Sequence, residues 1–121
     1  MALSLKKPAE LVDVVEATAL TLHDRRIYNL LINNAFKTIT EDKEHSIQKS
    51  DLAELTHYHN GRLGKCIENL MSSIVRLRSV RDGKPVLTRV QLLGATAEDY
   101  DRDGKIYYRF PPELRSVLND N

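Results

Sequence analysis

The sequence holds a single cysteine, Cys66, and no tryptophan. One thiol cannot close an internal disulfide, so the fold must stand on packing alone, which suits a reducing compartment. Five tyrosines, scattered and unsupported by tryptophan, make no stacking platform for single-stranded nucleic acid. No apolar run approaches the ~18 residues of a membrane-spanning helix, nor the core of a secretory signal, so a membrane partner is not expected and a cytoplasmic location is. Neither sign of charge prevails either: 18 Lys and Arg stand against 17 Asp and Glu, a net of +1. Binding of a polyanion by bulk charge is thereby excluded, and any cationic surface has to be local. Internal repeats, low-complexity tracts and interdomain linkers are also missing.

What is present is an ordinary globular composition, 41% hydrophobic and 29% charged over 121 residues, enough for one domain with its own core. The expected organisation is an N-terminal segment with a short helix over 1–19 and a folded domain over 20–121. Charge is unevenly spread. Residues 1–44 carry six basic and seven acidic side chains, 45–94 carry eight and four, and 95–121 carry four and six. The middle segment is therefore the cationic one. In it Arg62, Lys65, Arg76, Arg78, Arg81, Lys84 and Arg89 are opposed only by Glu68 and Asp82, a candidate phosphate-facing surface. An ordinary solvated face is the competing reading of the same charges.

Local signals divide the chain into elements. Leu11, Val12, Val14 and Val15 between acidic residues read as a short amphipathic helix or docking segment with Pro8 in its first turn. Thr21 and Asp24 have capping-box spacing and open a helix with Ile27, Leu30, Leu31 and Ala35 on one stripe. His45 to Gln48 reads as a brief strand, and Ser50 or Asp51 as the cap of a short helix with Leu52, Ala53 and Leu55. Residues 57–61 read as a turn. Leu63, Ile67, Leu70, Ile74 and Leu77 then recur every three or four positions, predicting one helix of about 17 residues, with Arg62, Lys65, Asn69, Ser72 and Arg76 aligned on another face. Asp82-Gly83 marks a turn. Period-two patterns follow over residues 86–93 and 105–110, read as the two strands of a hairpin, and Pro111-Pro112-Glu113 opens a last helix.

Helix, short strand, helix, turn, long helix and hairpin is the order of an α+β winged helix-turn-helix: mainly helical, with a short strand and a two-stranded β-hairpin wing. Leu20-Thr21-Leu22 leading through Arg25-Arg26 into Ile27 to Phe36, the run CIENLMSSIVRL within Gly61 to Leu77, and YYRFPPEL at Tyr107 to Leu114 carry a family likeness over about residues 20–118. The chain resembles the N-terminal winged-helix domain of plasmid replication initiators, the Rep and TrfA-like group. That resemblance implies DNA replication initiation: two tandem winged helices on repeated origin sequences, the iterons, with the first also forming homodimers. It implies a monomer–dimer balance that separates origin activation from autorepression. It implies no ATPase, with strand opening left to the host replication initiator and helicase. Asn121 falls where the second winged helix of that pattern would begin, so an excised first domain and a shortened relative both fit.

The expected DNA-binding residues are Asn60, Arg62, Lys65, Asn69, Arg76, Arg78, Arg81, Lys84 and Arg89. Cations reach phosphates and guanine edges, and asparagines reach base edges. Catalytic, metal and cofactor residues are not expected. Asp99-Tyr100-Asp101-Arg102-Asp103-Gly104 matches half of a calcium loop, but Phe110 stands where the bidentate carboxylate is needed, and strands replace the flanking helices. A turn with Gly104 at positive φ is the preferred reading. His45, His57, His59 and Cys66 fit no zinc spacing, and Cys66 reads as a small buried hydrophobe. Gly61-Arg62-Leu63-Gly64-Lys65 lacks the spacing and the hydroxyl of a phosphate loop. The alternatives to an initiator domain are a protein-interaction or dimerisation module that makes no DNA contact, and a winged-helix transcriptional repressor.

Overall fold

A computed structural model describes residues 11–15, 20–56, 60–101 and 103–118. Helix α1 (Leu22–Ala35) starts as its local chemistry dictates. The Asp24 amide donates to Thr21 Oγ1 at 3.0 Å and the Thr21 amide donates to Asp24 Oδ2 at 2.9 Å, so two orphan donors are satisfied reciprocally. Ile27, Tyr28, Leu31, Ile32 and Ala35 are buried, and a turn of 3-10 helix (Phe36–Thr38) ends the element. Strand β2 (His45–Gln48) leads directly into α2 (Lys49–Thr56), one residue before the expected cap, and α3 (Asn60–Ser72) follows. Asn60 and Gly61 are thus helical; the rest of the expected turn, His57 to His59, lies outside the described residues.

The expected 17-residue helix stops early: α3 has 13 residues, and Ile74 opens strand β3 (Ile74–Arg81). Both Ser72 Oγ and Ser73 Oγ donate to the Asn69 carbonyl at 3.0 Å, closing the last turn with side chains. From there Val75 and Leu77 are buried while Arg76 is half-exposed and Arg78 exposed, a period of two. Leu70, Ile74 and Leu77 satisfy the helical spacing by coincidence, and cross-strand pairing decides the matter.

Among the described residues, two three-stranded antiparallel sheets complete the fold, in the orders β1-β3-β4 and β2-β6-β5. Residues Leu11–Val15 form strand β1 rather than a helix; it pairs with β3, Val14 opposite Val75, with an irregularity between Leu11 and Asp13. Strand β3 pairs with β4 (Lys84–Gln91) from Ile74↔Gln91 to Arg81↔Lys84. The hairpin is therefore β3–β4. Contrary to the hairpin that the period-two patterns predict, the strand over 86–93 does not pair with the one over 105–110. Instead β6 (Lys105–Tyr108) lies between β2 and the short β5 (Thr96–Glu98). The β3–β4 turn is where Asp82-Gly83 marks it, with φ of 51° and 75°, the left-handed pair that a two-residue hairpin turn requires.

Helix α4 (Pro112–Leu118) caps one continuous core. Leu31, Leu52, Leu63, Leu70, Val75, Leu92, Ile106 and Leu114 from six elements and the segment after β4 meet there. Cys66 is buried among them. Tyr28 and Tyr108 are buried with their hydroxyls donating to the carbonyls of Leu92 (2.9 Å) and Leu31 (2.7 Å). These bonds tie α1 to the segment after β4 and to β6, and burial raises the pKa of both phenols, that of Tyr108 to about 12.

Candidate nucleic-acid interface

The nine residues expected to face DNA divide into three groups. On α3, Leu63, Cys66, Ile67 and Leu70 take the buried face and leave Arg62, Lys65, Glu68 and Ser72 to solvent. Arg62 and Lys65 thus sit exposed in the first two turns, with Asn60 at the helix start. Asn69 does not join them. It is half-buried, and its Nδ2 donates to Asp24 Oδ2 at 3.2 Å, so it braces α3 against the capped start of α1.

The remaining cations belong to the hairpin, Arg76 included. Because directly opposed residues share a face of an antiparallel pair, Arg76↔Arg89 places two guanidinium groups side by side, and Arg81↔Lys84 does the same beside the turn. On its other flank Arg76 has Asp13 of β1 opposite it, and it is only half-exposed. Arg78, Arg81, Lys84 and Arg89 are exposed and make no ion pair among the described residues. Past Leu77, among the described residues, the last four rungs of the hairpin are two strands wide, with β4 at the sheet edge. The structure therefore presents two basic segments, the start of α3 and a projecting ribbon.

One functional group escaped sequence reasoning. Lys49, the first residue of α2, is only 4% exposed. Its Nζ donates to the carbonyls of Asp99 and, at 2.9 Å, Asp101, and pairs with Glu98 Oε2 at 3.2 Å. The Lys49 amide also donates to the Gly104 carbonyl at 3.0 Å. The calcium-like loop thus turns its oxygens to an ammonium of the chain itself, while Asp99 Oδ2 accepts from the Lys105 amide at 2.9 Å. Gly104 is needed there for space and not, as expected, for positive φ. An added Cβ would lie 2.4 Å from Asp99 Cβ, and the positive-φ glycine among the described residues is Gly83. The loop motif was visible in the sequence; its cation, fifty positions away, was not.

His45 is buried against the rings of Tyr108 (centroids 5.5 Å apart) and Phe110 (5.9 Å), with Nε2 lacking a partner among the described residues. Burial lowers its pKa, Lys43 and Arg109 lower it further, and Glu41 opposes them. A buried, aromatic-packed ring of this kind is a core residue. His57 and His59 lie outside the described residues.

A helix pair followed by a two-stranded hairpin is a winged-helix arrangement, and a family model described as initiator replication protein, WH1, matches residues 4–121. The chain belongs to that family. Its fold is also that of a solved structure, the crystal structure of the WH1 domain of MSBI1.176, a replication protein isolated from a multiple sclerosis patient. The two agree with a TM-score of 0.61 over 83% of each chain at 15% identity. No curated protein matches the chain. The WH1 domain has no helix, among its described residues, that is long and apolar enough to cross a membrane. As a replication-initiator winged helix it belongs with recognition folds; WH1 is not a known catalytic domain.

Proposed function

We propose that this WH1 domain contacts double-stranded DNA at plasmid origin repeats through the start of α3 and the β3–β4 hairpin, and that it forms a homodimer in the cytoplasm. One observation carries the DNA contact: the hairpin holds two like-charged rungs, Arg76↔Arg89 and Arg81↔Lys84. Like charges directly opposed destabilise a β-pair, and a phosphate beside them reverses the sign of that contribution. Arg78 and, on α3, Arg62 and Lys65 extend the contact, with Asn60 near base edges. Asn69 supports this surface from behind by fixing α3 to Asp24. The domain works by recognition, not catalysis, and strand opening falls to the host initiator and helicase.

The test is duplex affinity measured across salt concentration. Each phosphate contact contributes about −0.9 to the slope of log affinity against log salt. The Arg81→Ala/Lys84→Ala variant should lower the magnitude of that slope by about 2, and Arg62→Ala/Lys65→Ala likewise. If neither double variant changes affinity or slope, the surface is merely solvated and the DNA reading fails. Light scattering across concentration tests self-association, and a strict monomer at high concentration removes the homodimer. Duplexes carrying direct repeats, compared with scrambled ones, test origin specificity.

A further inference from the structure

The turn end of the hairpin, two strands wide among the described residues, carries exposed apolar side chains. Val80 is 68% exposed and Leu87 46%. Alternation puts both on one face of the ribbon, with Pro85 opposite Val80 and Arg78 opposite Leu87, so the two are diagonal neighbours within side-chain reach. Both faces of the ribbon carry cations: Arg78 and the Arg76↔Arg89 rung share the face of this strip, while Arg81 and Lys84 project from the opposite face beside the turn. An occupant that engages all of these cations must offer negative charge to both faces of the ribbon and an apolar surface to the strip.

A second copy docked face to face would set these cations against their own counterparts. A flat anionic lipid surface would meet the cations of one face only. A DNA groove has phosphate walls on both sides, and the ribbon selects which groove. A two-stranded ribbon enters the major groove of undeformed B-DNA, about 12 Å wide, whereas the minor groove, about 6 Å wide, must first be forced open at a cost in deformation energy. The apolar group that a major groove displays on its floor is the C5-methyl of thymine.

We propose that the β3–β4 ribbon enters the DNA major groove and that Val80 and Leu87 contact thymine methyl groups, giving the domain a preference for A·T-containing sites. This rests on the DNA-binding reading above and adds sequence discrimination, whichever groove α3 occupies. The cations hold the ribbon in the groove, and the apolar pair reads its floor.

The experiment compares an alternating A·T duplex with the same duplex carrying uracil for every thymine, which removes the methyl groups and leaves the charges. Burying one methyl group is worth about fourfold in affinity, so the wild-type domain should bind the thymine duplex roughly fifteenfold more tightly for two contacts. The Val80→Ser/Leu87→Ser variant should lose that preference while keeping the wild-type salt slope. Both positions are exposed, so its melting temperature should equal that of the wild type. Equal wild-type affinity for the two duplexes overturns the proposal, as does a thymine preference that survives in the variant. Loss in the variant of binding to anionic phospholipid vesicles, or of self-association, with the duplex preference intact, also overturns it and assigns the strip to lipid or to a second copy. A wild-type domain that binds no duplex at any salt refutes the DNA reading as well. One whose salt slope responds to Arg81→Ala/Lys84→Ala without any thymine preference refutes this inference alone.

Discussion

Replacing Lys49 by methionine removes one buried charge and little volume, so it isolates what the ammonium does for the loop over residues 98–104. The Nζ group makes three polar contacts, to the Asp99 and Asp101 carbonyls and to Glu98. A hydrogen bond to a charged group contributes about 1.5–3 kcal/mol net to stability. Here the acceptors retain access to water: Asp99 is half-buried, Asp101 exposed, and the Glu98 side chain 49% exposed. Water therefore recovers much of the loss, and the Glu98 pair contributes no more than about 1 kcal/mol. The net destabilisation should be about 2–3 kcal/mol. For a domain of this size that is a fall in Tm of about 10 °C, at about 4 °C per kcal/mol. Thermal and urea melts followed by circular dichroism measure it, and the urea m-value should be unchanged because the same surface is exposed on unfolding. Amide exchange should accelerate first in residues 98–105, the segment released. A Tm within about 2 °C of wild type, or a loss that salt abolishes as it would for a surface pair, would refute the view that this ammonium fastens the loop to α2.

Two glycines should respond with opposite signs to alanine. Gly104→Ala forces a Cβ to 2.4 Å from Asp99 Cβ and should destabilise and loosen the same loop. At Gly64, inside α3, an added Cβ meets nothing within 4 Å, so Gly64→Ala should stabilise by about 0.5–1 kcal/mol in urea melts. Acid should weaken the domain through His45. Its folded pKa lies below the ordinary 6.5 because burial disfavours the cation. Its contribution is therefore complete above pH 6.5 and is lost progressively as pH falls from there through the folded value. Stability measured against pH should show this decline in the wild type, and His45→Phe should flatten it.

Several features decided within four residues were legible in the sequence. The Thr21–Asp24 box, the Asp82-Gly83 turn, the Pro112 start of α4 and the buried stripe of α1 each depend on neighbours along the chain, and each lies where those neighbours put it. The clustering of cations over residues 62–89 was equally visible, because charge can be counted without knowing the fold. What tertiary structure alone settled were choices between local patterns of equal merit. The apolar spacing from Leu63 to Leu77 suits a helix throughout and also suits a strand after Ser73; antiparallel partners Val14 and Val90 on either side of Val75 determine the second outcome. Those partners likewise convert residues 11–15 into a strand and move the hairpin to β3–β4. The same pairing takes Arg76 off the helix and sets it against Arg89. Asn69 turns inward because Asp24, 45 positions away, offers a carboxylate. Lys49 is buried because a distant loop supplies its acceptors. Side-chain chemistry along the chain determined which groups could bind; long-range pairing, whose free energy exists only once the chain is folded, determined which of them face outward.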